Sequence, residues 1–96
     1  MIARARSKPT RQIRPRELEQ FRQRIESWER PGREAGRDGD VELAAGYAED
    51  MADLRAILRL IESGTLQEAA EAIDRLDTLV RNQIPTRLYE SVVPGN

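Results

Sequence analysis

Large apolar side chains recur every three or four residues in three separate stretches of this sequence. This spacing places them along one side of an α-helix, whereas a half-buried strand needs an apolar residue at every second position. The three stripes run from Leu18 to Trp28, from Ala44 to Ile61 and from Leu66 to Val80. Proline and glycine residues stand between them. The chain is therefore predicted to be an all-α protein with three helices.

The breaks between the stripes set the expected helix boundaries. Pro15 suits a first helical position, and Pro31 is expected to end the first helix because proline cannot continue the hydrogen-bond ladder. Residues 31–39 contain three glycines and no large apolar residue, which predicts a flexible loop. Asp38 or Asp40 then caps the second helix. The expected helices span about 15–30, 40–63 and 66–82.

The turn between the second and third helices is predicted to be short. Gly64 stands where a glycine commonly ends a helix, and Thr65 with Glu68 forms the pattern of a capping box. A short turn between two helices favours a central antiparallel αα-hairpin. The second helix also has a separate alanine face, made of Ala45, Ala48, Ala52 and Ala56. Such a face predicts that this helix packs against more than one neighbour.

Charge is divided unequally along the chain. Residues 1–37 hold 11 Lys/Arg against 5 Glu, a net charge of +6, and residues 38–96 hold 5 Arg against 12 Asp/Glu, a net charge of −7. We interpret 1–14 as a basic extended arm, 15–96 as a single helical domain and 84–96 as its short apolar tail. Opposite charges at the two ends favour docking to a partner or to another copy. The predicted contact residues of the arm are Arg4, Arg6, Lys8, Arg11, Arg14 and Arg16.

Cysteine and histidine are both absent from the sequence. Their absence excludes disulfides, thiolate nucleophiles, cysteine or imidazole zinc ligands and catalytic dyads that need histidine. We therefore expect no enzymatic activity, no cofactor, no bound metal and no small-molecule substrate. No apolar run approaches the roughly 20 residues that a membrane span needs. A cytoplasmic or virion-associated protein is expected.

Two further groups of residues have both a structural and a functional interpretation. Seven apolar residues either fill the core or contact a partner or second copy: Leu18, Phe21, Ile25, Trp28, Leu88, Tyr89 and Val92. The spacing favours the core for Phe21 and Trp28, whereas the C-terminal residues either cap the open end of the hairpin or form a docking peptide. Six carboxylates form either a solvated face, which is favoured, or a partner surface that mimics nucleic acid: Glu49, Asp53, Glu68, Glu71, Asp74 and Asp77.

The leading hypothesis is a non-enzymatic interaction or adaptor protein, oligomeric or part of a larger assembly, that docks an acidic partner through its arm. One alternative is a nucleic-acid-binding regulator or packaging factor whose arm contacts phosphates. Another is a small inhibitor, encoded by a phage or mobile element, that uses the acidic helical face. A DNA-binding helix-turn-helix is disfavoured, because the acidic third helix would be repelled by phosphates. We expect a protein partner, a homo-oligomer or both.

Overall fold

The computed structural model describes residues 13–93, which form five α-helices and no strand. The helices are α1 (Pro15–Arg37), α2 (Val41–Glu62), α3 (Leu66–Asp74), α4 (Thr78–Arg81) and α5 (Thr86–Val92). The all-α prediction is confirmed. The arm residues Arg4, Arg6, Lys8 and Arg11, and the last three residues of the tail, lie outside the described residues.

The first helix is longer than predicted, because it continues through Pro31 to Arg37. The predicted end at residue 30 and the predicted loop over 31–39 are both wrong. Proline lacks the amide hydrogen that would bond to the carbonyl one turn earlier, and this loss normally breaks a helix. Here the following turns are held by packing against α2: Gly32 lies against Tyr47, and Ala35 is buried.

A tight turn joins α1 to α2 and provides hydrogen bonds for both helix ends. The amide of Gly39 donates to the carbonyl of Gly36 at 3.2 Å, and the amide of Asp40 donates to the carbonyl of Ala35 at 2.9 Å. This pair of bonds is the Schellman motif, and Gly39 adopts the φ of +83° that the motif requires. The Asp40 carboxylate accepts a bond from the Leu43 amide at 3.2 Å. Asp40 is therefore the cap of α2, which begins and ends within one residue of the predicted bounds.

The turn between α2 and α3 has the same geometry. Gly64 has a φ of +83°, its amide donates to the Ile61 carbonyl at 3.0 Å, and the Thr65 amide donates to the Leu60 carbonyl at 3.0 Å. The prediction that Gly64 ends the helix is confirmed. The predicted capping box is wrong, because the Thr65 hydroxyl donates to the Leu60 carbonyl at 2.8 Å and caps no amide of α3.

The predicted third helix is divided into α3 and α4. The amides of Arg75 and Leu76 bond to carbonyls three residues earlier, at 3.2 and 3.0 Å, and this tighter turn ends α3. The Asp77 carboxylate then accepts a bond from the Leu79 amide at 3.4 Å and starts α4. An aspartate that caps a new turn competes with continuation of the preceding helix. The third stripe of apolar residues therefore spans two helices.

The hydrophobic core lies at the open end of the α1–α2 pair, which we call the base. Its members come from the first half of α1, the second half of α2, the three short helices and the turn before α5: Phe21, Ile25, Met51, Leu54, Ile57, Leu58, Ile61, Ala69, Ile73, Val80, Ile84, Leu88 and Val92. The most extensive contact between helices joins α1 and α2, and α5 packs against α1 and α3. The principal hairpin is therefore α1–α2, not the predicted pair of second and third helices.

Candidate functional site

The half of the hairpin away from the base contributes little to the core. We call residues 28–53 the outer half; the structure describes all of them, and only Ala35 and Met51 are buried. Val41 is 74% exposed and Leu43 is 49% exposed. Tertiary packing supplies most of the stability of helices in proteins. Two helices that pack mainly on each other therefore have apolar surface left for a further contact.

The two helices of the outer half approach closely because α1 has a glycine at the contact. A Cβ atom at Gly32 would lie 2.7 Å from the Cβ of Tyr47, well inside normal van der Waals contact. The Tyr47 ring meets Trp28 edge to face, with ring centroids 5.9 Å apart and planes at 88°. This is a favoured geometry for an aromatic pair. These contacts fix the separation of α1 and α2 in the outer half.

A groove of about 440 Å³ runs along one flank of this contact. Most of its lining is apolar and consists of Gly32, Ala44, Tyr47, Ala48, Met51 and Ala52. Three charged residues stand at its rim: Glu29, Arg33 and Arg55. The Arg55 guanidinium pairs with the Glu29 carboxylate at 2.6 Å, which links α2 to α1 at the end nearer the base. We call this feature the outer groove.

The outer groove lies between two edges of opposite charge. Arg30, Arg33 and Arg37 follow helical spacing along α1 and form a basic edge, and Glu42 and Glu49, two turns apart on α2, form an acidic edge. All five residues are exposed. Because α1 and α2 are antiparallel, their register places Glu49 at a height between Arg30 and Arg33. The same register places Glu42 beside Arg37.

Further carboxylates of α2 lie beside Glu49 of the acidic edge. Burial raises the pKa of Asp50, and the neighbouring carboxylates of Asp53, Glu49 and Asp77 raise it further. Asp77 belongs to the turn between α3 and α4, so two elements bring their negative charges together. Within residues 13–93, no group of three or more acidic side chains is arranged to hold a metal ion.

The predicted acidic face is exposed throughout. Its six carboxylates are Glu49, Asp53, Glu68, Glu71, Asp74 and Asp77. Three of them, Glu49, Asp53 and Asp77, lie close enough to Asp50 to raise its pKa. Exposure agrees with the solvated-face interpretation, and a partner for this face stays a prediction.

Most of the predicted apolar contact residues belong to the core. Phe21, Ile25, Leu88 and Val92 are at most 1% exposed, so we correct their assignment from partner contact to core. Leu18, Trp28 and Tyr89 are half-buried against the same core. Leu88 and Val92 are buried where α5 packs on α1 and α3, so they are not available as the anchors of a docking peptide.

Only the end of the predicted arm falls within the described residues. Arg14 is the extended residue that precedes α1, and both Arg14 and Arg16 are exposed. The basic edge, in contrast, was predicted only in part: the sequence places Arg30 and Arg33 on a basic flank of the first helix, together with Arg22 and Arg24. The loop predicted over 31–39 left Arg37 in irregular structure, so the continuation of this flank to the end of α1 was not foreseen.

No helix among the described residues is both long and apolar enough to cross a membrane. In comparisons with protein-family models, with curated proteins and with solved structures, nothing matches this chain. Its function is therefore inferred from its own residues and their geometry.

Proposed function

We propose that this protein is a non-enzymatic helical interaction protein that docks another protein chain on the outer half of its hairpin. The observation that supports this proposal is the contrast between the two halves of the molecule. The base buries a core to which all five helices contribute residues or contacts. The outer half exposes Val41, Leu43 and the small side chains of the outer groove. An apolar groove bordered by charged residues is typical of a protein-binding surface.

The N-terminal arm supplies a second, electrostatic contact in this proposal. Arg14 and Arg16 are exposed at the start of α1, and no acidic residue stands between Met1 and Arg16. Clustered cations increase the rate at which an acidic partner is encountered, and this effect weakens as salt is added. The arm therefore guides an acidic partner, while the outer groove provides the apolar contact that holds it.

The proposal is tested by weighing the tagged protein, purified under native conditions from its own source, by native mass spectrometry. The wild-type chain is expected to carry bound protein in addition to its own 11.0 kDa. Ala48→Glu places a carboxylate on the exposed wall of the outer groove. It is expected to release the bound protein, because an unpaired charge is costly to bury.

Gln67→Glu is the matched control, because it adds the same charge at an exposed position of α3. This variant is expected to keep the bound protein, and circular dichroism establishes that both variants retain their helices. Bound protein that survives Ala48→Glu would contradict the proposal. A bound mass that proves to be nucleic acid would favour the alternative in which the arm contacts phosphates.

A further inference from the structure

We propose that the outer groove is covered by the same groove of a second copy of this chain. The two hairpins lie face to face around a two-fold axis parallel to their helices, so that the α1–α2 turns of both copies lie at the same end. In this arrangement α1 of each copy lies over α2 of the other and runs antiparallel to it. The inference rests on the proposed function, because it names the chain that docks there.

The charged edges of the groove support this arrangement. Rotation about an axis parallel to the helices exchanges the left and right sides of the face but keeps the height of each residue. The basic edge of one copy therefore lies over the acidic edge of the other. Glu49 then faces the interval between Arg30 and Arg33, and Glu42 faces Arg37. The symmetry repeats each pairing on the other side of the interface.

The alternative two-fold arrangement is disfavoured by the same charges. An axis across the hairpins would place α1 over α1 and α2 over α2. The three arginines of the basic edge would then face arginines, and the glutamates of the acidic edge would face glutamates. Like charges that face each other across an interface are repelled. The charge pattern therefore favours a second copy in the first orientation over one in the second.

The lining of the outer groove suits the approach of two helices. Gly32, Ala44, Ala48 and Ala52 project little beyond the backbone, so the helices of a second copy can reach the 8–10 Å separation that is usual for packed helices. Half-buried Tyr47 and the edge of Met51 provide larger apolar surface between them. The two outer halves together make four helices in which adjacent helices are antiparallel, as in an ordinary four-helix bundle.

The size of the surface sets the expected strength of the dimer. The outer half contains ten residues of α1 and thirteen of α2, which give a contact about 15–20 Å long. A face of two such helices buries less than the roughly 800 Å² per partner that is typical of stable complexes. We therefore expect a dimer with a dissociation constant in the micromolar range, in which the charged edges contribute to the binding free energy. The dimer should weaken as salt is added, because these residues are exposed.

Sedimentation equilibrium of the full chain and of charge-reversed variants tests this inference. The basic-edge variant combines Arg30→Glu with Arg33→Glu, and the acidic-edge variant is Glu49→Arg, so that the pair of Glu42 and Arg37 stays intact in both. Each variant is expected to raise the dissociation constant of the dimer by about ten-fold to a hundred-fold, which is the effect of losing several exposed ion pairs together. All three substitutions in one chain restore opposite charges across the interface, and the dimer should recover.

Arg75→Glu combined with Arg87→Glu is the matched control, since it makes the same change of net charge at exposed positions of the base. It should leave the dimer unchanged within about three-fold, because these positions lie outside the proposed interface. Single-edge variants that dimerise as well as the wild type would overturn the inference. A triple variant that fails to recover would also overturn it.

The orientation has a separate readout because the chain contains no cysteine. Asp38→Cys introduces one thiol in the exposed α1–α2 turn of each copy. A short bis-maleimide is expected to crosslink the two copies efficiently, since their turns lie side by side. A dimer that fails to crosslink at this position contradicts the orientation and overturns the inference.

The failure of this inference is distinguishable from the failure of the proposed function. A wild-type chain that sediments at 11.0 kDa at every concentration overturns the second copy as occupant. The proposed function fails when the wild type carries no bound protein, or when Ala48→Glu keeps the protein that the wild type binds. Bound mass in steps of 11.0 kDa supports both proposals, and bound protein of another mass supports the proposed function alone.

Discussion

The close approach of α1 and α2 at Gly32 makes a sharp prediction for the substitution Gly32→Ala. Alanine is usually preferred to glycine inside a helix by about 1 kcal/mol, so the change would stabilise an isolated α1. In the folded chain its Cβ would lie 2.7 Å from the Cβ of Tyr47. The Tyr47 Cβ is fixed to the backbone and cannot rotate away. The two helices must therefore separate, and overpacking of this kind costs about 1–3 kcal/mol.

Gly36→Ala provides a matched control one turn further along the same helix. A Cβ at Gly36 would lie 3.8 Å from the Cβ of Ala44, which is ordinary van der Waals contact. This variant is expected to raise the free energy of unfolding by about 0.5–1 kcal/mol, because only the helix preference changes. Gly32→Ala is expected to lower the free energy of unfolding by about 1 kcal/mol, because the cost of overpacking exceeds the gain in helix preference by about this amount.

Urea denaturation followed by circular dichroism measures both free energies of unfolding. All variants are compared at one low protein concentration, since self-association would add to the apparent stability. The decisive quantity is the difference of about 2 kcal/mol between the two glycine variants. Equal stabilisation by both substitutions would refute the close approach of α1 and α2 at Gly32, and with it the geometry of the outer groove.

Three other substitutions test separate parts of the structure. Leu54→Ala, at a fully buried position of α2, is expected to lower the free energy of unfolding by about 2–5 kcal/mol in urea denaturation, and a loss below about 1 kcal/mol would contradict the core. Asp40→Ala removes the cap of α2 and should cost about 1 kcal/mol, whereas Asp40→Asn should keep most of it. Asp50→Asn should stabilise the protein at neutral pH, because the folded state holds this carboxylate at a raised pKa among Asp53, Glu49 and Asp77. As pH falls through the raised pKa, Asp50 becomes protonated in the folded state and its charge no longer destabilises the fold. The gain from asparagine should therefore fade, and it should be absent below the ordinary carboxyl pKa of 3.8. A gain that persists at low pH, or that Glu71→Gln reproduces, would contradict this origin.

The helical class and the bounds of α2 follow from local signals that tertiary structure leaves intact. Apolar spacing specifies which side of each helix faces the core, and Gly64 ends α2 because glycine adopts positive φ without strain. Asp40 caps α2 through contacts within a few residues of the chain. Such features depend on neighbouring residues, and they are therefore predictable from the sequence.

The predictions that proved wrong failed for a different physical reason. Pro31 weakens a helix locally, but contacts with α2 across the hairpin hold the following turns in helical form. Those contacts involve Tyr47, sixteen positions later in the sequence, and no local pattern reveals them. The extension of the basic edge to Arg37 was hidden for the same reason. Asp77, in contrast, had a local signal that was overlooked, because an aspartate within a helical stripe can start a new helix.

Hydrogen exchange with mass spectrometry, run across a series of protein concentrations, tests most directly whether the outer half is a contact surface. In dilute solution, peptides from 28–53 are expected to exchange faster than peptides from the base, because few of their residues are buried. At high concentration these same peptides should gain protection, while peptides from α3 and α5 stay unchanged. Protection of the outer half that equals that of the base at every concentration would show that this surface needs no second chain.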